Sequence, residues 1–228
     1  RKKTAGYQDI LNLYNRLTKW VQDEFLAEAL VLVDRVNVFV KFVKIAHKCA
    51  ELGNFFCCIA LIGCFVKSLI PDDLWEMIPQ SAKIHYQVLF DAFLRSGQGG
   101  REGYDAALKQ FEKKFFMPDF RYFLQTLEMK IDRLPKTHKE NGLINFSKFS
   151  AYYRLITQFF ANQHLPAVSQ HGAIVPDHKM QAKIAQSLAR CGPVKSGADI
   201  WNMKKYSELK ESVKTQVMYE SLNKLGFG

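Results

Sequence analysis

Three cysteines, Cys57, Cys58 and Cys64, sit in the stretch ELGNFFCCIALIGCF at residues 51–65 and are the first candidates for chemistry. A zinc site needs four convergent ligands, typically supplied by paired C-x₂₋₄-C spacings. Cys57 and Cys64 are seven residues apart and share one helix face, Cys58 points elsewhere, and no second pair completes a set. Cysteine is among the most buried residue types, so the run reads as the packed centre of a fold. His164, His171 and His178 also recur at sevens, but Pro166, Gly172 and Pro176 interrupt any helix that could align them. They read as loop residues. The phosphate-loop, nucleophile-elbow, H-E-x-x-H and G-x-G-x-x-G patterns do not occur. No cofactor or metal is implied, and no spacing argues for an enzyme with covalent chemistry. The residues describe a binding module.

The bulk composition agrees. The 228 residues are 48% hydrophobic and 24% charged, an ordinary globular balance. A chain of this length buries about 70% of its unfolded surface and needs no disulfide staples. Five cysteines without paired spacing favour free thiols in a reducing, cytoplasmic setting. The longest apolar run, Phe55–Val66, falls short of the roughly 20 residues a spanning helix needs. The first residue is not Met, which suggests a piece of a longer protein. A formal charge of +10 favours an acidic partner, and the basic residues are scattered through helical patterns rather than gathered in a nucleic-acid arm.

Helical spacing dominates the elements that must position any site. Ile10, Leu13, Tyr14, Leu17 and Val21 form one stripe. Val33–Leu52 carries Val36, Val40, Val43 and His47 on one side, with Phe39, Phe42 and Ile45 on the others, so it is expected to be buried on most sides. Gly53 should stop that helix, and Asn54 should cap the next, which runs toward Pro71. A short WEMIP element, a helix over 81–95, a flexible SGQGG break and a helix over 101–113 follow. Pro118 should occupy the first turn of a helix reaching Ile131, and Leu143–His164 should form a long partner helix. Two last helices are expected near 177–191 and 203–225. The fold class is all-α, a single large helical domain with a protruding helical hairpin.

Several of these segments, in this order, resemble the catalytic domain of Ras-family guanine-nucleotide exchange factors, the Cdc25-homology or RasGEF domain. Residues 34–65 resemble the family core R-V-x-x-x-x-K-F-I-x-I-A-x-x-C-x-x-L-x-N-F-N at Arg35, Val36, Lys41, Phe42, Ile45, Ala46, Cys49, Leu52, Asn54 and Phe55. Trp20 in LTKWV resembles a helix-ending tryptophan, LWEMIP a tryptophan stretch ending in L-P, and FMPDFRYFL the opening of the family hairpin. GLINFSK at 142–148 is nearly verbatim the start of its second hairpin helix, and MYESLNKLGFG resembles the family's C-terminal S-x-x-L-E-P.

The resemblance implies one domain over 1–228 with a hairpin at about 118–164. Its core would grip switch 2 of a Ras-superfamily small GTPase of Ras, Rap or Ral type, while the hairpin displaces switch 1 from nucleotide and Mg²⁺. Neither nucleic acid nor a transmembrane segment belongs to that picture, and membrane recruitment would come through other domains. The implied GTPase-binding residues are Asn12, Val66, Asp119, Phe120, Gln125, Leu127, Glu128, Asp132, Asn145 and Lys148. Some depart from the family pattern. Val66 replaces an asparagine, Asn12 an arginine, Asp119 an aromatic residue, and Arg121 a small one. Glu128 stands at the apolar wedge position and Asp132 keeps the acid four residues on, whereas a one-residue slip makes Leu127 the wedge. The alternative implied by these departures is an inactive pseudo-exchange domain that serves as an interaction scaffold.

Overall fold

In the computed structural model, residues 5–27, 30–94, 102–111, 114–127, 131, 134–135, 142–160, 168–169, 172–173, 177–191 and 203–224 are described. Ten α-helices lie among them: α1 (Ala5–Phe25), α2 (Leu32–Glu51), α3 (Phe55–Ile62), α4 (Asp72–Met77), α5 (Gln80–Phe93), α6 (Glu102–Gln110), α7 (Phe120–Thr126), α8 (Phe146–Phe160), α9 (His178–Arg190) and α10 (Met203–Lys224). A 3₁₀ turn, Lys67–Leu69, links α3 to α4. After α8, Val168–Ser169 and Gly172–Ala173 pair as a two-residue antiparallel ladder, a minor addition to an all-α fold. SGQGG, His164 and His171 lie outside the described residues, and His178 opens α9.

The centre of the fold is α3. Its sequence, FFCCIALI, is apolar all round, and seven of its eight residues are buried. Such a helix is stable only when enclosed, and α1, α2 and α5 pack around it. Cys58 and Cys64 lie in the core, while Cys57 is half-buried. Burial pushes the Cys49 thiol up to about 12 and raises Cys57, Cys58 and Cys64 as well, so the thiols stay protonated and unreactive.

Two aromatic clusters meet on α3. One joins it to α2, α4, α5 and α10 around Phe39, whose ring lies 4.8 Å from Phe65 and 5.6 Å from Tyr86. The other gathers Tyr14, Phe55, Phe56, Tyr104 and Phe116 beneath the start of α7.

The α2 stripe differs from its expected position. The buried face is Leu32, Arg35, Val36, Phe39, Phe42, Val43 and Ala46, whereas Ile45 is exposed and His47 stacks on His85 at 4.6 Å. The larger Phe39 and Phe42 rings claim the core, rotating the helix away from the Val40–His47 line. On α1, Leu13 is likewise exposed while Tyr14, Leu17 and Val21 are buried. Trp20 does not end α1, which continues to Phe25, and its ring packs edge-on against Phe42 at 5.2 Å.

Gly53 stops α2 as expected. Its φ is +73°, and a Cβ there would meet the Phe111 ring at 2.7 Å, so both conformation and space require glycine. No helix among the described residues is long and apolar enough to cross a membrane.

Candidate functional site: the joint between the core and a helical hairpin

The start of α3 shows how the hairpin is attached. The first N–H groups of a helix have no intrahelical acceptor. Here the Asn54 side chain accepts from Cys57 N at 3.0 Å, while the Met117 carbonyl accepts from Phe55 N at 3.0 Å and Phe56 N at 3.3 Å. Met117 N donates in return to Gly53 O at 2.8 Å. The segment leading into α7 is therefore fastened to the most buried helix of the fold through backbone groups on both sides.

Two residues on, Asp119 continues the joint. Its backbone N–H donates to the Tyr104 hydroxyl at 2.8 Å, and its carboxylate accepts from Arg121 N at 3.1 Å. This local Asp–backbone turn delays the helix. It explains why α7 begins at Phe120 and Pro118 lies before the helix instead of within its first turn. The Arg121 guanidinium lies 3.7 Å from the Tyr14 ring centroid, with Nε 3.5 Å from Asp119 Oδ1 but making no hydrogen bond. Burial pushes the Tyr14 hydroxyl up to about 12, the Arg121 charge opposing and the Asp119 charge adding to the shift. Asp119 and Arg121 thus answer each other, acid and base closing a joint between α7 and α1.

From this joint α7 and α8 form the hairpin. Phe159, near the C-terminal end of α8, lies 5.6 Å from Phe120 and 4.4 Å from Phe123, so the two helices run antiparallel. At its opposite end α8 is braced by the LINFSK residues. Asn145 accepts from Lys148 N at 3.3 Å and donates from Nδ2 to Pro135 O at 3.0 Å. Lys148 Nζ donates to Leu134 O at 2.6 Å. Because Asn145 caps the helix, α8 begins at Phe146 rather than Leu143, and the described part ends at Phe160.

The implied binding residues therefore fall into separate groups. Asn12, half-buried on α1 and accepting from Gln8 Nε2 at 3.3 Å, is two residues from Tyr14 at the joint. Asp119 is 7% exposed and Phe120 half-buried in the hairpin packing. Asn145 and Lys148 are each 6% exposed and engaged at the opposite end of α8. Val66 follows α3 at its other end, about 12 Å of helix away from the joint. The preceding carbonyls are held there, Cys64 O accepting from the Tyr206 hydroxyl at 3.0 Å and Phe65 O from the Tyr86 hydroxyl. Leu127 is half-buried just after α7; the side chain of Gln125 and the whole of Glu128 and Asp132 lie outside the described residues. Tyr14 and Tyr104 are joint residues that the sequence does not mark. Their partners are distant in sequence, and no local pattern marks them.

Comparison with known proteins agrees with this architecture. Residues 1–150 match the RasGEF domain, so the match extends into α8. Ras guanine nucleotide exchange factor D of Dictyostelium discoideum is 26% identical over 163 residues, covering 71% of this chain and 24% of that protein. Human Ral guanine nucleotide dissociation stimulator-like 1 is 23% identical over 200 residues, covering 74% of this chain and 26% of its own length. The chain thus spans about a quarter of the length of these curated relatives. With the match covering well over half of its residues, the chain belongs to the RasGEF domain family.

Proposed function

We propose that this chain is one exchange domain, residues 1–228 with its hairpin at about 118–164, that releases guanine nucleotide from a Ras-superfamily small GTPase. The observation that carries the reading is the joint at Met117–Arg121. Displacing a switch segment requires an element that transmits force without yielding, and α7 is tied to α3 through Met117, to α6 through Tyr104 and to α1 through Arg121. Family membership and the exchange-factor names of the relatives point the same way.

The mechanism needs no covalent step. Switch segments are held by nucleotide phosphate and Mg²⁺, and a competing protein contact releases them. An acceleration of ~10⁴ corresponds to about 5.5 kcal/mol of barrier lowering, which the protein–protein interface must supply. In this reading Asn12, Val66, Gln125, Leu127, Glu128 and Asp132 face the GTPase. Phe120 packs the hairpin, and Asp119, Asn145 and Lys148 position it. The net charge of +10 suits an acidic switch surface and raises the association rate.

A second reading, a pseudo-exchange scaffold, is favoured by specific residues. Val66 offers no side-chain hydrogen bond, and the Asp119 carboxylate is consumed inside the joint. Release of a fluorescent guanine nucleotide from Ras, Rap and Ral separates the two. Acceleration of one client, lost on Leu127→Ala or Asp132→Ala with the fold intact, establishes exchange. Capture of a nucleotide-free GTPase without accelerated release establishes the scaffold, and neither response sinks both.

A further inference from the structure

Arg35, the fourth residue of α2, is the one buried arginine among the described residues, 3% exposed. Its Nη1 donates to Phe25 O at 2.6 Å, the carbonyl of the last residue of α1. That uses one of its N–H donors, and a guanidinium does not become neutral by losing a proton. Among the described residues no carboxylate pairs with it. On the elements around it, Asp23 pairs with Lys19 and Lys205, and Glu208 with Lys204. Burial lowers the Arg35 pKa with no acidic group acting against it. A buried cation without a counter-charge is costly, so this guanidinium calls for an anion.

The same guanidinium lines a cleft of about 320 Å³ where the end of α1, the start of α2 and α10 converge. Among the described residues the lining is Leu26, Arg35, Lys205, Glu208, Leu209 and Ser212. The volume lies in the range of small-ligand sites. The α10 wall is firmly seated: Tyr206, Leu209 and Val213 are buried, and the Tyr206 hydroxyl donates to Cys64 O at 3.0 Å. Arg35 Nε and Nη2 make no hydrogen bond among the described residues and are not sealed from solvent, so a ligand in the cleft can reach them.

We propose that this cleft binds a small monocarboxylate, its carboxylate on Arg35 and a short apolar body against Leu26 and Leu209. Three features select that chemistry. The planar guanidinium matches a carboxylate with paired N–H donors, and such charge-assisted bonds are short and strong. The lining sets Arg35 and Lys205 against Glu208, a surplus of one positive charge. A single negative charge balances it, whereas a phosphate dianion overshoots and meets Glu208. Leu26 and Leu209 are both buried and give a carbon chain an apolar wall, and Ser212 adds a hydroxyl donor. None of these residues belongs to the joint or to the set assigned to the GTPase, so the test does not depend on exchange.

The test uses the 228-residue chain with hexanoate as probe, hexanamide as its uncharged match and inorganic phosphate as the dianion. Calorimetry should show saturable hexanoate binding below about 10 mM, roughly tenfold or more tighter than either comparison. Hydrogen exchange over 203–213 should slow when hexanoate is bound, while α7 exchanges as before. Arg35→Met should abolish binding, but it also removes the Phe25 contact, so Ser212→Glu serves as a variant that keeps it. The introduced carboxylate takes the place of the ligand on Arg35. That variant should melt higher than the unsubstituted chain and no longer respond to hexanoate. Equal binding of hexanoate and hexanamide overturns the proposal, since the cleft would then read only the apolar body. Tighter binding of phosphate overturns it as well. So does the absence of saturable hexanoate binding, or binding that survives Ser212→Glu.

Discussion

α3 and α8 draw on the same kinds of residue and meet opposite fates. FFCCIALI has seven of its eight residues buried, whereas FSKFSAYYRLITQFF, with four phenylalanines, leaves ten of its fifteen exposed. Hydrophobicity does not separate them; the number of neighbours does. A helix of eight residues, about 12 Å long, fits inside a ring formed by α1, α2 and α5, each of which contributes an apolar face. α8 is nearly twice as long and stands away from that ring, covered on one stripe by α7 and the 134–135 arm. Among the described residues, the core helices pack on several neighbours each, and the hairpin is fastened at the Met117–Arg121 joint and at the start of α8.

Three experiments test that contrast. The largest effect is expected at Phe39, fully enclosed between Phe65, Trp75 and Tyr86. Phe39→Ala should cost about 3–5 kcal/mol and lower the melting temperature by roughly 10 °C. A loss below about 1 kcal/mol would mean the core is looser than its packing indicates.

Next is the response to alkali at the joint. The Tyr14 hydroxyl is raised from 10.0 to about 12 in the folded chain, mainly by burial. Its contribution, roughly 2–3 kcal/mol, is therefore fully present below pH 10 and is lost as the pH rises through 12. Burial raises Tyr86, Tyr104 and Tyr206 further still, so both clusters should weaken from pH 10 upward and over a wider range than Tyr14 alone. Tyrosine absorbance recorded alongside circular dichroism should show ionisation coupled to unfolding, with Tyr14→Phe making the onset shallower. Titration near pH 10 without any loss of helix would contradict the burial of these hydroxyls.

The smallest global effect is expected at Arg121. It is over a third exposed, so its ion pair and its stacking on Tyr14 together contribute on the order of 1 kcal/mol. Arg121→Ala should barely move the melting temperature. Hydrogen exchange should nevertheless speed up over 120–126 while α2 keeps its protection, since local opening draws on local contacts. Equal loosening of α2 and α7 would show that hairpin and core form one cooperative unit.

Local rules were legible in the sequence because they depend on few neighbours. Gly53 had to end α2, Asn54 had to cap α3, and Asp177 had to open α9, whose Met180 N it accepts at 3.0 Å. The central burial of residues 55–65 followed from an apolar run too short for a membrane and too uniform for a surface. Asp119 and Arg121 could be read only as departures from a pattern. Their pairing became visible when the fold brought Tyr104 and Tyr14, fifteen and over a hundred residues away in the chain, against them.

Residue order alone was enough for most of the helices, the stop at Gly53, the cap at Asn54, the all-α class and the family, because these rest on interactions within a turn or two and on motifs held in order. Packing between distant segments settled which face of α2 turns inward, where α7 and α8 begin, that Asn145 and Lys148 brace the hairpin, and that an apolar stripe of α8 stays exposed. Periodicity states that a helix has an apolar face, but whether anything covers that face depends on packing among segments far apart in the chain.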